Sequence, residues 1–368
     1  MKTTDRTTTP AAEDRTGSPT AVPARPAGRV LVRVGPRIAV PVRRSSLIAA
    51  ALSVLLLLGA AVATLSMGRL GIDLADLPSA LMGGATGKNA FVLNRLRGPR
   101  LVVAVATGAA FGLSGALFQS VTRNPLGSPD VIGLSAGSGA GAAAAALFFP
   151  GTVPVWVGAL VGAVAAMGLV YVSTGTGFRN PGRLVVAGIG VAAMSTALTQ
   201  YVVYAVERDK ASALTAYING SLSARSWDDA TVIWTVLLVC LPLAALLARP
   251  LTVGEMGDDL STGLGARPDR TATAAVTLSI VLSAGAVSVA GPIAFVSLTA
   301  PQIAKRVTRG GGPQLVMSTV LGALLLVLAD LAAQQLPLFD DLPVGLYTMA
   351  VGGAYLGYLL LREWKRTV

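Results

Sequence analysis

Histidine is absent from this 368-residue sequence, and cysteine occurs once, as Cys240. Without these side chains the common transition-metal ligand sets and a disulfide framework cannot form. Charged residues are also scarce, at 13% of the chain, which is too few for an ordinary soluble domain. We therefore expect no metal or cofactor on this chain, and the missing histidine weighs against a lipid-modifying membrane enzyme.

Hydrophobic residues make up 53% of the chain, and the mean hydropathy is +0.67. The apolar residues form spaced blocks of about 20 residues, the length that crosses a bilayer as a helix. We predict an all-α integral membrane protein with ten spans, and with nine if the short eighth block is a broken or tilted helix after Gly291 and Pro292. The predicted spans lie near 47–67, 101–118, 131–149, 155–174, 184–206, 231–248, 272–290, 292–304, 315–335 and 343–361.

Residues 1–45 are rich in Thr, Pro, Ala and Arg, and they predict a disordered cytoplasmic tail before a polytopic domain at 46–368. A signal peptide is the alternative, but the first apolar run is too long for a typical signal sequence. If the N-terminus is inside, eight Lys and Arg lie in outward connections and the other 21 of the 29 lie inside. This asymmetry favours both termini in the cytoplasm and explains the net charge of +11 without a nucleic-acid partner.

The stretch 119–141, QSVTRNPLGSPDVIGLSAGSGAG, is central to the predicted architecture. Pro125 and Pro129 end one helix, and the small residues that follow allow the next helix to pack closely against its partners. We interpret this stretch as the entrance to a transmembrane helix.

Two long connections are predicted between spans. The outward one, 68–100, ends in Arg95, Arg97 and Arg100, which are either anchors at the membrane surface or a docking patch for an acidic partner. The inward one, 249–270, has in its middle the size and caps of a short surface helix. That helix, at 254–265, is either a solvated turn or a lever that fits a partner's groove.

Asp330 is the one acidic residue deep in an apolar block. Such a carboxylate is a functional candidate, although a helix-packing hydrogen bond to Ser, Thr or a backbone group is the commoner explanation. A carrier driven by protons or sodium would be expected to show several such groups. The fragment GGATGKN at 83–89 lacks the spacing of a phosphate-binding loop, so any ATP site is expected on another chain.

From residue 97 onward, several motifs in order make the chain resemble the FecCD-type permeases of ABC importers. They are RGPRLVVAVATGAAFGLSGALFQSVTRNPLGSPDVIGLSAG (97–137), RLVVAGIGVA (183–192), the inward loop at 254–265, GPIAFVSLTAPQIAKR (291–306) and LPVGLYTMAVGGAYLGYLL (342–360). The NPLGSPDVIG and LPVG forms look most like the ferric enterobactin branch. The resemblance implies the type II importer fold of the vitamin B12 permease.

The resemblance also implies roles for single residues. Arg97 and Arg100 match outer arginines that meet glutamates of the substrate-binding protein, and the family's third docking arginine falls at Gln334. A cytoplasmic gate matches Asn180, Pro181 and Gly182. The helix that rests on the ATPase subunit matches Gly254, Glu255, Gly257, Asp258, Leu264 and Gly265.

Two positions depart from the family pattern: Gln302 replaces its usual histidine, and Ser297 replaces a glycine. The sequence alone supplies no physical reason for either exchange. Gln302 joins Asp330 as an intramembrane polar candidate.

The implied assembly contains a second permease subunit, two ATPase subunits that carry ATP and Mg, and an extracytoplasmic binding protein, all at the plasma membrane. The implied substrate is a ferric siderophore, of the catecholate type. Haem or a corrinoid is the alternative substrate, and an ion-coupled secondary transporter is the alternative mechanism. The sequence does not decide whether the second permease is another copy of this chain.

Overall fold

Helices account for most of the chain. The computed structural model describes residues 29–34, 38–68, 70–175, 181–205, 217–336 and 342–367. Its helices are α1 (Arg44–Ser66), α2 (Arg97–Thr122), α3 (Leu134–Phe148), α4 (Val155–Ser173), α5 (Pro181–Ala205), α6 (Trp227–Gly254), α7 (Asp258–Gly263), α8 (Pro268–Ala290), α9 (Val296–Thr308), α10 (Leu315–Gln335) and α11 (Val344–Thr367). All except α7 coincide with predicted spans, and the predicted all-α membrane fold is confirmed.

Seven helical stretches of the described chain are long and apolar enough to cross a membrane. They include α1, α4, α5, α6, α8 and α10, together with α2 and the helical turns before it. The helix α3 is apolar but has only 15 residues, and α9 has 13. The chain is therefore a multi-pass membrane protein in which some helices are shorter than the bilayer is thick.

The helix α2 lies at the centre of the bundle, where it packs against α6, α8, α9 and α10. Its contact with α10 depends on glycine, since a Cβ on Gly112 would overlap the carbonyl oxygen of Ser318, and one on Gly322 would overlap that of Gly108. Gly108 and Gly112 are four residues apart, the spacing that lets two transmembrane helices approach closely. The two backbones therefore touch directly.

The helices α3 and α4 also pack through glycines that bring their backbones into contact. A Cβ on Gly141 would overlap the carbonyl oxygen of Gly158, and one on Gly162 would overlap that of Gly137. The prediction that small residues allow the helix after 119–133 to pack closely is confirmed.

The chain breaks between α8 and α9, as the predicted break after Gly291 and Pro292 requires. Gly291 and Phe295 have positive φ values of 73° and 69°, and helix resumes only at Val296. The predicted start at 292 was wrong, because the residues after Pro292 adopt non-helical backbone before the helix begins. Tyr217 secures the end of α8 by donating to the carbonyl oxygens of Val287 and Ser288, 2.8 and 3.0 Å away.

The outward connection 68–100 is more helical than an ordinary loop. Short turns at Leu77–Ser79, Ala80–Gly84, Gly87–Phe91 and Val92–Leu96 lead into α2. Ile72, Leu77 and Val92 are buried in a small apolar cluster beneath these turns. Burial of these side chains gives the connection a fixed shape.

The N-terminal unit, residues 1–44, contains two antiparallel strands, β1 (Arg29–Val34) and β2 (Ile38–Arg43). Val30 pairs with Val42, and Val32 pairs with Val40. The strands were not predicted, although alternating β-branched residues favour them. The predicted disorder of residues 1–45 was therefore wrong at 29–34 and 38–43, where strand pairing orders the chain, and residues 1–28 and 35–37 lie outside the described residues.

Candidate functional site

A short helix stands where the inward connection was predicted to carry one. The helix α6 ends at Gly254, α7 spans Asp258–Gly263, and Gly257 and Gly265 flank α7 with positive φ values of 102° and 81°. The N-cap position is Gly257, so no side chain caps this helix. Glycine at both ends permits the two sharp turns instead.

Three apolar side chains are exposed around α7. Met256, Leu260 and Leu264 are 61%, 55% and 63% exposed. Leu260 lies within α7, whereas Met256 comes just before the helix and Leu264 just after it. An exposed apolar cluster of this kind is typical of a protein interface.

The rest of the inward connection is fixed to the membrane helices by charged side chains. Arg123, the residue after α2, donates to the Gly254 carbonyl oxygen at 3.0 Å and forms an ion pair with Asp258. The Glu255 carboxylate accepts the backbone N–H of Gly312 at 3.0 Å, between α9 and α10. A cleft of about 190 Å³ lies between the end of α2 and this connection. Displacement of α7 would thus act directly on α2 and on the α9–α10 turn.

The sequence reading missed the role of Arg123. The Arg-Asn-Pro motif at 123–125 could have pointed to it, because this motif marks the place where the chain leaves α2. Arg123 turns the chain there with a positive φ of 49°. No sequence feature identified Asp258, 135 positions away, as its partner.

The predicted docking arginines both have partners within the chain. Arg97 is 9% exposed and donates to the carbonyl oxygens of Thr64, at 2.8 Å, and Met67. It therefore satisfies acceptors that the end of α1 leaves without helical partners. Arg100 lies against Asp330, whereas Arg95 is exposed. The docking role of Arg97 and Arg100 stays a prediction.

Asp330 forms a bidentate ion pair that neither sequence interpretation included. The Nε of Arg100 lies 3.0 and 3.1 Å from its two carboxylate oxygens, and Nη2 lies 2.7 Å from Oδ1. Gln334, which the resemblance places at the family's third docking arginine, donates to Oδ2 at 2.7 Å. The guanidinium of Arg100 and the amide of Gln334 stabilise this buried carboxylate. The expected hydrogen bond to a Ser, Thr or backbone group is replaced by these two partners.

The predicted gate lies only partly within the described residues. Asn180 lies outside them, and Pro181 and Gly182 are the first two residues of α5. Proline is well suited to this first helical position, because its missing N–H has no helical acceptor there. The gate role of these three residues stays a prediction.

The two departures from the family pattern have defined partners. Gln302 donates to the side-chain oxygen of Gln119 at 2.6 Å, and Gln119 donates to the Leu298 carbonyl oxygen at 3.0 Å. Ser297 donates to the carboxylate of Asp130 at 2.7 Å. Both exchanges introduce polar links between α9 and the end of α2 or the segment after it. Among the described residues, no group of three His, Cys, Asp or Glu could hold a metal ion.

Known proteins resemble this chain in sequence. The model of the FecCD transport family matches residues 54–362. The ferric enterobactin transport system permease protein FepG of Escherichia coli (strain K12) is 36% identical over 303 residues, which cover 82% of this chain and 92% of that protein. The achromobactin transport system permease protein CbrC of Dickeya dadantii (strain 3937) is 35% identical over 322 residues, covering 85% and 90%.

A solved structure extends the likeness to the fold. It is a metal-chelate type ABC transporter in an inward-facing conformation, with a TM-score of 0.74 and 24% identity. The match covers 85% of this chain and 98% of that one. The chain therefore has the fold of a known membrane protein.

Proposed function

The chain belongs to the FecCD transport family, and from that membership we propose that it is the membrane-spanning permease subunit of an ATP-driven ABC importer for a ferric siderophore. Two ATPase subunits bind Mg-ATP on the cytoplasmic side. A second permease subunit completes the translocation pathway, and an extracytoplasmic binding protein delivers the substrate.

The observation that carries this proposal is the construction of α7. The apolar side chains of Leu260 in α7, and of Met256 and Leu264 beside it, are exposed, while Arg123 and Glu255 connect the flanks of α7 to the membrane helices. Exposed apolar side chains can bind a partner protein, and the contacts of Arg123 and Glu255 connect α7 to the membrane helices. This arrangement suits a helix that receives force from a partner. The ATPase subunit is expected to offer a groove that accepts aliphatic side chains.

The substrate is proposed to be a ferric catecholate, on the strength of the 36% identity to the enterobactin permease. The achromobactin permease is almost as similar, at 35%, so overall identity separates the two chelates poorly. Haem and corrinoids remain the alternative substrates. Direct competition among these ligands is therefore part of the test.

An ion-coupled secondary transporter is the alternative mechanism, and the ion pair of Asp330 argues against it. A carboxylate that binds and releases protons or sodium in transport must exchange its partner. Asp330 is 2% exposed at its side chain and is held by Arg100 and Gln334. It is thus suited to joining two helices.

The test is reconstitution of the chain in lipid with ATPase subunits encoded beside it and with the binding protein. We expect the loaded binding protein to stimulate ATP hydrolysis, and the ferric catecholate to enter the vesicles only with ATP. Ferric hydroxamate, haem and a corrinoid serve as competing ligands. Uptake of another ligand would refute the catecholate assignment alone, whereas uptake without an ATPase subunit would refute the importer.

A further inference from the structure

The segment 123–133 joins α2 to α3 and carries four local hydrogen bonds. Leu126 N–H is bonded to the Asn124 side chain at 2.9 Å, and Gly127, Val131 and Gly133 each donate to a backbone carbonyl three residues earlier, at 3.1 to 3.2 Å. Consecutive turns of this kind leave the backbone few alternative conformations. A segment bonded in this way is suited to carrying movement from one end to the other.

One end of segment 123–133 is attached to the inward connection. Arg123 bonds to the Gly254 carbonyl oxygen and to Asp258, the first residue of α7. Both partners are held by one guanidinium, so they shift together with Arg123.

The other end is attached to α9 through Asp130. The Asp130 carboxylate accepts the hydroxyl of Ser297, at 2.7 Å, on the first turn of α9, and the hydroxyl of Ser135, at 2.5 Å, on the first turn of α3. Within the described chain, no Lys or Arg forms an ion pair with it. A partly buried carboxylate held only by hydroxyl groups is a costly way to join helices, and two serines would suffice for packing alone.

The same segment packs tightly on α5. A Cβ on Gly188 would overlap the backbone of Ile132. Ser297 is equally confined, because a Cβ on Gly115 of α2 would overlap its carbonyl oxygen. Close-packed backbones transmit displacement because they have no free volume in which to absorb it.

We infer that Asp130 is a positioning residue that links α7 to the break before α9, an inference that rests on the proposed function for its role in transport. Segment 123–133 connects the helix that receives force from the ATPase to two membrane helices. Asp130 transfers that displacement to α9 through Ser297, and Ile132 transfers it to α5. Ser297 supplies the hydroxyl that this link requires.

The first test needs only this chain in detergent and measures amide hydrogen exchange at residues 296–300. Asp258→Ala releases Arg123 from α7, and we expect it to raise exchange there at least about fivefold, the lower range of couplings between sites. In an Asp130→Ala background the same Asp258→Ala change should have no further effect. Asp130→Asn should preserve the coupling, because its amide can bond both hydroxyl groups. Unchanged exchange in Asp258→Ala overturns the linkage, whatever the chain transports.

The second test uses the assembled transporter and compares substrate molecules imported per ATP hydrolysed. We expect Ser297→Ala and Asp130→Ala to lower this ratio at least about fivefold while the ATPase subunits still associate. Ser135→Ala is the matched control, since it removes the bond from Asp130 to α3 but leaves the link to α9. Equal ratios in Ser297→Ala and wild type refute the positioning role alone. Absence of ATP-driven import by the wild type refutes the proposed function instead, and the exchange experiment still decides the linkage.

Discussion

Arg100 on α2 and Asp330 on α10 form a bidentate ion pair across 230 positions of sequence. The two helices are in backbone contact lower down, where Gly112 meets Ser318, so the pair closes the outward end of a glycine-packed interface. The Asp330 side chain is almost fully buried, whereas the Arg100 side chain is 21% exposed. Loss of Arg100 and loss of Asp330 are therefore expected to lower the stability of the protein by different amounts.

Arg100→Ala should cost about 3 kcal/mol of stability, because it leaves the Asp330 carboxylate buried without a countercharge. Asp330→Asn should cost less, since the partly exposed Arg100 regains water. The double variant should recover part of the loss. Thermal unfolding in detergent measures the three values, with the exposed Arg95→Ala as a control expected to stay within about 0.5 kcal/mol. Equal losses in the two single variants would contradict the asymmetry.

Docking of the binding protein can be separated from this stability effect at Arg100. Lysine keeps the positive charge but cannot make the bidentate bond to Asp330, whereas glutamine loses both. We expect Arg100→Gln to weaken docking about tenfold at low salt, with a smaller difference at high salt, and Arg100→Lys to dock nearly as the wild type. Binding measurements at two ionic strengths would reveal this pattern. Wild-type affinity in Arg100→Gln would remove Arg100 from the docking site.

Gly112→Ala should destabilise the bundle by about 1–3 kcal/mol, the usual cost of overpacking a tight contact. The added Cβ overlaps the Ser318 carbonyl oxygen, and backbone cannot move aside as a flexible side chain does. Gly59→Ala in α1 is the matched control, because nothing lies within 4 Å of the point that its new Cβ would occupy. There alanine should be neutral or stabilising, by up to about 1 kcal/mol. Thermal unfolding of both variants decides the point, and similar losses would disprove the packing argument.

Leu260→Asp together with Leu264→Asp should abolish association of the ATPase subunits. Burial of two leucines contributes about 3 kcal/mol or more, so affinity should fall at least about a hundredfold. Both side chains are exposed, and we therefore expect normal folding of the isolated chain. Co-purification with the ATPase measures the effect. Leu81→Asp, at an exposed leucine of the outward connection, is the control and should assemble normally.

The helices were predictable because an apolar run as long as a bilayer is thick leaves few alternatives to a span. The ends of the helices were harder to predict. The helix α9 starts at Val296 and not at 292, because the conformation of the backbone after Pro292 depends on contacts with distant residues. The short strands β1 and β2 escaped notice because the surrounding Pro and Thr outweigh six alternating residues.

The polar partners of the candidate site could not be predicted. Asp330 was recognised as costly to bury, but the identity of its partner depends on how α2 and α10 rotate against each other. The link between Asp130 and Ser297 spans 167 positions and depends on the same information. The inward helix, in contrast, was predictable from its local sequence because glycines and charged residues separate it from the spans on both sides.

The bonds from Arg97 to the last carbonyl groups of α1 bear on how the protein is made. Arg97 follows Thr64 by 33 positions. When only α1 has been synthesised and inserted, the carbonyl groups at its outer end therefore lack the guanidinium that donates to them in the folded protein. Water or lipid headgroups must serve these carbonyl groups until the start of α2 arrives. The first span of this protein is thus completed by the second, and nascent chains that stop before residue 97 end with an unfinished helix in the bilayer.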